Sequence, residues 1–427
     1  MGETVGGIAA SGLLKRARLM LAADGLAVAV VVSLPWSTSA ATISGWLLLV
    51  VLIPTFDLAS IRRVLFHPAG GLPVLLWVLA LAGMLWAFDL PIMERYDGLR
   101  SFQKLLFIPL LMIHFSRSER AVWVMNGFLA SCTAMLVVSW AIFFIPTLPW
   151  PWIGSGGRPG IPVRDYIAQG AEFTICAMLL AGLALKFWHQ PRRLLAIGAA
   201  LLALVFLANV VFVAASRTSL VVIPVLVLLF AFKKLRWKAI VGLLVAAIAS
   251  GAITWTFALE TRSTIIALAK ELHDFRPDAQ RSRSGERLEF WRKSIEFIEK
   301  APVAGHGTGS IPDLYRKSVV GQTGMAALAA ENPHNQTFAV AIQLGLIGTA
   351  VLFALWLAHL LLFRGEGMVA WAGLVIVTQN VVGSLFNSHL FDFSHGWTYV
   401  FGVGVAAGVL LRHAPAPTTG SGRIERL

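Results

Sequence analysis

The sequence predicts an all-α polytopic membrane protein with about twelve transmembrane helices and one long, partly helical external loop. Three observations carry that expectation. Of 427 residues, 57% are hydrophobic and only 13% are charged, about half the charge that a soluble domain needs for its surface. The mean hydropathy is +0.75. The excess of 35 Lys and Arg over 22 Asp and Glu, a formal charge of +13, sits mostly in short clusters between apolar runs. A nucleic-acid partner would need those cations gathered on a polar surface, whereas a membrane protein keeps them at the ends of its spans.

A bilayer core takes about 20 mostly apolar residues per helix. Taken in order, the stretches that qualify are Leu19–Leu34, Ile43–Phe56, Leu72–Phe88, Leu99–Phe115, Val122–Ile145 and Tyr166–Trp188. Next come Leu194–Ala214, Leu220–Phe232, Ala239–Leu259, Gln336–Phe363, Met368–Phe386 and Trp397–Leu411. The second and eighth are short. The first has basic flanks but no small-residue cleavage site, so it reads as an anchor. This divides the chain into spans one to nine over 1–259, a loop over 260–335, spans ten to twelve over 336–411 and a tail over 412–427.

Placing the N-terminus inside puts Lys15, Arg16, Arg18, Arg62, Arg63, Arg117, Arg120, Lys186, Arg192, Arg193 and the Lys233–Lys238 cluster on the cytoplasmic side, as charge bias requires. Both termini are then cytoplasmic and the long loop is external. The loop carries eleven Lys/Arg against ten Asp/Glu, which does not decide topology for a segment of that length. Within it, Ser284 can cap a helix over Glu286–Lys300, with Leu288, Trp291, Ile295 and Ile298 along one face. Glu289/Lys293 and Glu296/Lys300 are spaced as i,i+4 pairs, and Pro302 ends the run. Such a helix lies along the membrane surface or caps the spans.

Charge inside a membrane is costly and marks a functional position by default, with a structural pair as the plainer reading. Arg100 and Lys104 fall one turn apart in the fourth stretch, and Gln169 and Glu172 one turn apart in the sixth. Either pair can line a polar cavity or tie helices together. Ser216-Arg217-Thr218-Ser219 is the whole connection between the seventh and eighth stretches, outside, where arginine runs against the charge bias. Its planar fork suits a phosphate, and it equally suits snorkelling to lipid headgroups. Arg276, Arg281, Arg283, Arg287, Arg292 and Lys293 make the external loop locally basic. That is either a solvated face or an anion site. Pro302–Gly309 is glycine-rich but follows a helix, so it is a tight turn and not a nucleotide loop.

Asn332-Pro333-His334-Asn335-Gln336 carries the strongest chemical signal. Asn332 reads as N-cap and Pro333 as the first helical residue of the tenth stretch. His334 would then sit in a helix's first turn, where the dipole disfavours imidazolium and leaves a neutral base. A histidine that merely caps or packs has the same pattern. Asn387, His389, Asp392 and His395 in the last outer loop can orient a base or a sugar, or be ordinary loop residues. With no Asp-x-Asp pair, no His-x-x-x-His and no outer acidic cluster, no divalent metal is expected. Cys132 and Cys176 both lie in apolar runs, which argues against a disulfide framework or a zinc site.

Together these segments resemble the O-antigen ligase family, within the superfamily that also holds O-antigen polymerases and bacterial protein O-oligosaccharyltransferases. The resemblance rests on Ser216-Arg217-Thr218, on Arg287-Leu288-Glu289-Phe290-Trp291, on the Pro302…Gly305-x-Gly307-x-Gly309 turn, and on Asn332-Pro333-His334-Asn335 running into Leu344–Gly348. It is strongest from about Arg217 to Gly348. It implies a GT-C-like glycosyltransferase in the inner membrane of a Gram-negative bacterium. The donor would be O-antigen on undecaprenyl diphosphate, the acceptor a sugar hydroxyl of lipid A–core, and the site periplasmic. No metal, nucleotide or other cofactor is implied. By motif, His334 would be the general base, and Arg217 and Arg287 would hold the diphosphate. Arg100, Lys104, Arg158, Arg164, Gln169, Glu172, Asn335 and Asp392 are the further candidates for substrate binding. Membrane lipids are the other partners. A polymerase or a protein-directed transferase differs in the acceptor. A secondary transporter is disfavoured by the absence of paired halves.

Overall fold

The computed structural model describes residues 2–150, 159–163, 165–235 and 283–413, with scattered positions between 237 and 269. Every regular element among them is helical. The first half comprises α1 (Gly2–Ser33), α2 (Thr38–Leu52), α3 (Leu58–Leu65), α4 (Pro68–Gly83), α5 (Ile92–Gln103), α6 (Phe107–Phe115) and α7 (Ala121–Phe144). Then follow α8 (Tyr166–Trp188), α9 (Arg193–Phe212), α10 (Arg217–Lys234), α11 (Arg283–Lys300), α12 (Ser310–Ser318), α13 (Gln336–Leu362), α14 (Met368–Gly383) and α15 (Phe393–His413). Short polar side chains start several of them. Ser37 caps α2, Asp57 caps α3, Asp165 caps α8 and Ser216 caps α10, each accepting a bond from a first-turn amide.

Among the described residues, six helices are long and apolar enough to cross a membrane unaided: Thr38–Thr55, α7, α8, α9, α13 and α15. The chain is thus a polytopic membrane protein. Beyond those six, α3 and α4 meet at a bend of 85° and α14 is a shorter apolar helix. The expected span Ala239–Leu259 lies mostly outside the described residues. The expected span Leu99–Phe115 is not one continuous crossing. It divides into α5, a 3-10 turn at Lys104–Leu106, and the nine residues of α6. Lys104 is the reason: it is buried, and its ammonium reaches the backbone carbonyls of Phe391 and Asp392 at 2.8 and 2.7 Å. An ammonium out of water needs such acceptors, and the break turns it towards them.

α15, α8 and α13 form the centre of the bundle, while α2 and α9 face outwards. α15 packs against α6 through Gly404 and Gly408, four residues apart. A Cβ at either would lie 2.8 Å from the Cβ of Leu111 or Phe115. Small residues at this spacing let two helix backbones approach where the hydrophobic effect cannot drive association.

α13 is broken. Gly345 has φ 61° and ψ −158°, so the helix stops and restarts there. The glycine-rich turn fills the break: Leu346 N donates to Pro302 O (2.8 Å), while His306 N and Gly307 N donate to Ile342 O and Gln343 O (2.8 and 2.9 Å). Gly309 N donates to the Gln343 side chain at 2.8 Å, and Thr308 Oγ1 to Ala80 O of α4 at 2.6 Å. Backbone groups freed by a helix break inside a membrane must find partners within the protein, and this turn supplies them.

α11 caps the bundle but shows it a different face from the one the sequence predicts. Phe290 and Phe297 are buried with Tyr315 of α12 and Ile342 of α13, while Ile295 is exposed. Glu289, Lys293 and Ser294 are buried as well. Each is satisfied: Glu289 pairs with Arg292, Lys293 Nζ reaches Ala326 O at 2.6 Å, and Ser294 Oγ donates to Phe290 O at 2.7 Å. Partnered polar residues can face inward, so apolar periodicity alone misjudges the buried side. The acid–base pairs also differ from the expected ones: Arg292, rather than Lys293 and Lys300, pairs with both Glu289 and Glu296.

Candidate functional site

His334 sits at the mouth of α13, before the helix and not within it. Its φ is 52°, and it is the one non-glycine residue with positive φ among those described. Asn332 does not cap α13. Its side chain accepts from His334 N at 2.9 Å, an Asx-type turn that holds the left-handed conformation. The cap is Asn335, which accepts from Phe338 N, while its own amide donates to Leu385 O at 3.2 Å. Strained backbone of this kind persists where its surroundings over-determine it, and it concentrates at functional sites.

The imidazole is held from behind. Nδ1 of His334 lies 2.9 Å from Oδ1 of Asn387, and Nδ2 of Asn387 donates to Asp392 Oδ2 at 2.7 Å. A carboxylate only accepts, so the amide nitrogen must face Asp392 and its oxygen must face the histidine. Nδ1 therefore carries the proton, and Nε2 keeps its lone pair for whatever occupies the site. Phe290 of α11 stacks near the ring, 6.0 Å between centroids at 26°. Ser388 Oγ donates to Asn332 Oδ1 at 2.6 Å and ties the two loops together.

The electrostatics are those of a buried, cation-rich pocket. Burial holds His334 below its ordinary proton affinity, the Asn387 bond opposes this, and the Arg287 guanidinium lowers it further. His389 is held well below the usual range by burial, by His395 and by Arg287. Arg287 thus acts on two histidines of different loops. Burial pushes the Asp392 carboxyl up to about 6, against the pull of Lys104.

Beside His334 the rings of His389 and His395 stack at 3.9 Å. A small polar cavity of ≈ 20 Å³ lies against them, walled by Glu172, Gln379, Asn380 and Thr398. A second, of ≈ 10 Å³, joins the same histidines and Gln379 to Ser216, Thr218 and Ser219. The N-terminus of α10, with Arg217 as its first residue, therefore opens on the histidine pair. Ligating atoms of His389, Asp392 and His395 fall within 4.8 Å of one another, spacing that could hold a metal ion. Lys104 and Arg287 act on these same groups, and a cationic surround favours an anion over a metal.

The expected site residues thus separate. His334, Arg287, Lys104 and Asp392 converge; Glu172 and the Arg217 segment open on the adjoining cavities. Arg100 does not join them: it is exposed and pairs with Asp97 at 3.4 Å. Gln169 belongs to a separate buried knot, with its amide on Ser139 and Asn209 at 3.0 Å each. Arg158 and Arg164 lie outside the described residues. The Phe290 stack on His334 leaves one trace in the local sequence, an aromatic one helical turn after Arg287.

Residues 202–353, about a third of the chain, match the family model described as O-antigen ligase. That segment is similar to the O-antigen ligase family. The match runs from α9 into α13 and includes Arg217, Arg287 and His334, but not Asn387 or Asp392. No curated protein matches the chain significantly.

Proposed function

We propose that this protein is a member of the O-antigen ligase family and transfers O-antigen from undecaprenyl diphosphate to a sugar hydroxyl of lipid A–core, at the periplasmic face of a bacterial inner membrane. The observation that carries the reading is the Asp392–Asn387–His334 chain, which leaves Nε2 of a neutral imidazole free to take a proton beside Arg287. Nε2 accepts the acceptor's hydroxyl proton. The oxygen bonds to the anomeric carbon, and the bond from that carbon to the diphosphate breaks. The electron pair leaves with undecaprenyl diphosphate. Attack opposite the leaving group inverts the anomeric centre.

Arg287 and Arg217 hold the diphosphate and stabilise the charge that grows on it. Preorganised cations in a dry site are commonly worth several kcal/mol to such a step. Lys104 fixes the loop that carries Asp392. The reaction needs no metal, because arginines do the work that a divalent ion would do. Both termini lie in the cytoplasm, which puts the basic connections inside.

Reconstitution tests this directly. With lipid-linked O-antigen and lipid A–core in one vesicle, the product is lipid A–core of raised mass. Longer lipid-linked chains from donor alone would instead make the protein a polymerase of the same superfamily.

A further inference from the structure

A large cavity lies away from His334. It runs along α15 on the side of the bundle enclosed by α7, α8 and α14, with a volume of ≈ 630 Å³. Its wall is apolar, formed by Phe128, Leu179, Leu183, Ala372, Phe401 and Val405. On α15 it reaches from Thr398 to Arg412, about 21 Å of helix and most of a ~30 Å hydrocarbon core. That length and apolar lining match a hydrocarbon chain.

Its two ends differ. At the His334 end, Ile175, Ile376 and Thr398 also wall the small polar cavity beneath His389 and His395. At the opposite end the lining includes Lys186, Arg412 and His413, with Glu119 as the one acid. Arg412 is fixed there, donating to Ser118 O at 2.7 Å. Lys186 is exposed and makes no ion pair among the described residues. A donor lipid whose diphosphate sits near His334 would not bring a phosphate to these cations. A lipid whose phosphate sits in the opposite leaflet would meet them.

We infer that this channel binds an anionic phospholipid from the leaflet opposite His334, its phosphate between Lys186 and Arg412 and one acyl chain rising along α15 to the floor of the polar cavity. That leaflet is cytoplasmic in the orientation proposed above; the binding itself does not depend on the transfer reaction.

Photo-crosslinking of the full chain in nanodiscs tests it, with diazirine acyl-chain phosphatidylglycerol, phosphatidylcholine and a diazirine polyprenyl phosphate as probes. Phosphatidylglycerol is expected to label residues of α14 and α15 along the channel. Lys186→Glu, at an exposed position that does not threaten folding, should cut that labelling about fivefold or more. Ala372→Trp should abolish it by filling the channel. Equal labelling by phosphatidylcholine, adducts scattered outside the channel, or displacement of the phospholipid by polyprenyl phosphate would each overturn the inference.

Discussion

His334 has neighbours that pull its proton affinity in different directions, and each can be removed separately. Burial and Arg287 lower it; the bond to Asn387 raises it. A base held below the ordinary histidine value is neutral at pH 7, so the rate should be flat there and fall only as pH drops through the lowered pKa. Arg287→Ala should raise that pKa and move the acid limb of the pH–rate profile upward. Asn387→Ala should move it downward and, by freeing the ring's tautomer and orientation, cost on the order of 10²-fold or more in rate. A structural role for Asn387 alone would lower activity without moving the limb. The sequence made His334 and Arg287 legible because each stands in a local motif. It could not show that Asn387, 53 residues downstream, holds the ring, nor that His334 precedes the helix with positive φ. Burial, and not a helix dipole, is the largest influence lowering the ring's proton affinity, because His334 stands before α13.

At the scale of elements, the glycine turn and the broken helix form one unit. A Cβ on Gly345 would run into the backbone of Val303, and the residue's φ is left-handed. Gly345→Ala should therefore destabilise the protein by roughly 1–3 kcal/mol or more, read as a lowered Tm in detergent. It should also depress transfer, because the short first half of α13 follows directly from His334. Tyr315→Phe tests the cap more gently. Its hydroxyl donates to Phe290 O at 2.7 Å and lies 2.9 Å from Ser294 Oγ, so its loss should cost about 1 kcal/mol. Pro302–Gly309 was recognisable as a turn from composition alone. Its docking into a helix 40 residues later was not, because nothing in local sequence reports where a turn's free backbone groups find partners. α11 was legible as a helix, but its buried face was not, since Lys293 and Glu289 read as solvated until their partners are seen.

For the molecule as a whole, low charge and long apolar runs were enough to place the chain in a membrane. The sequence could not foresee that the fourth stretch breaks at Lys104, because the carbonyls that hold its ammonium lie nearly 300 residues away at Phe391 and Asp392. Orientation is tested by single cysteines at exposed positions. With Cys132 and Cys176 both buried, Val320→Cys should react with an impermeant maleimide added outside the inner membrane. Arg192→Cys should react only after permeabilisation. As the base of the proposed metal-free glycosyl transfer to lipid A–core, His334 should be indispensable. Purified wild type and His334→Ala, incubated with lipid-linked O-antigen, lipid A–core and EDTA, test this, with the product read as a gel mobility shift. Wild type should give a shifted product and the variant none; an equal shift with both, or no shift with wild type until a divalent metal is restored, would overturn the assignment of His334 as the base of a metal-free transfer.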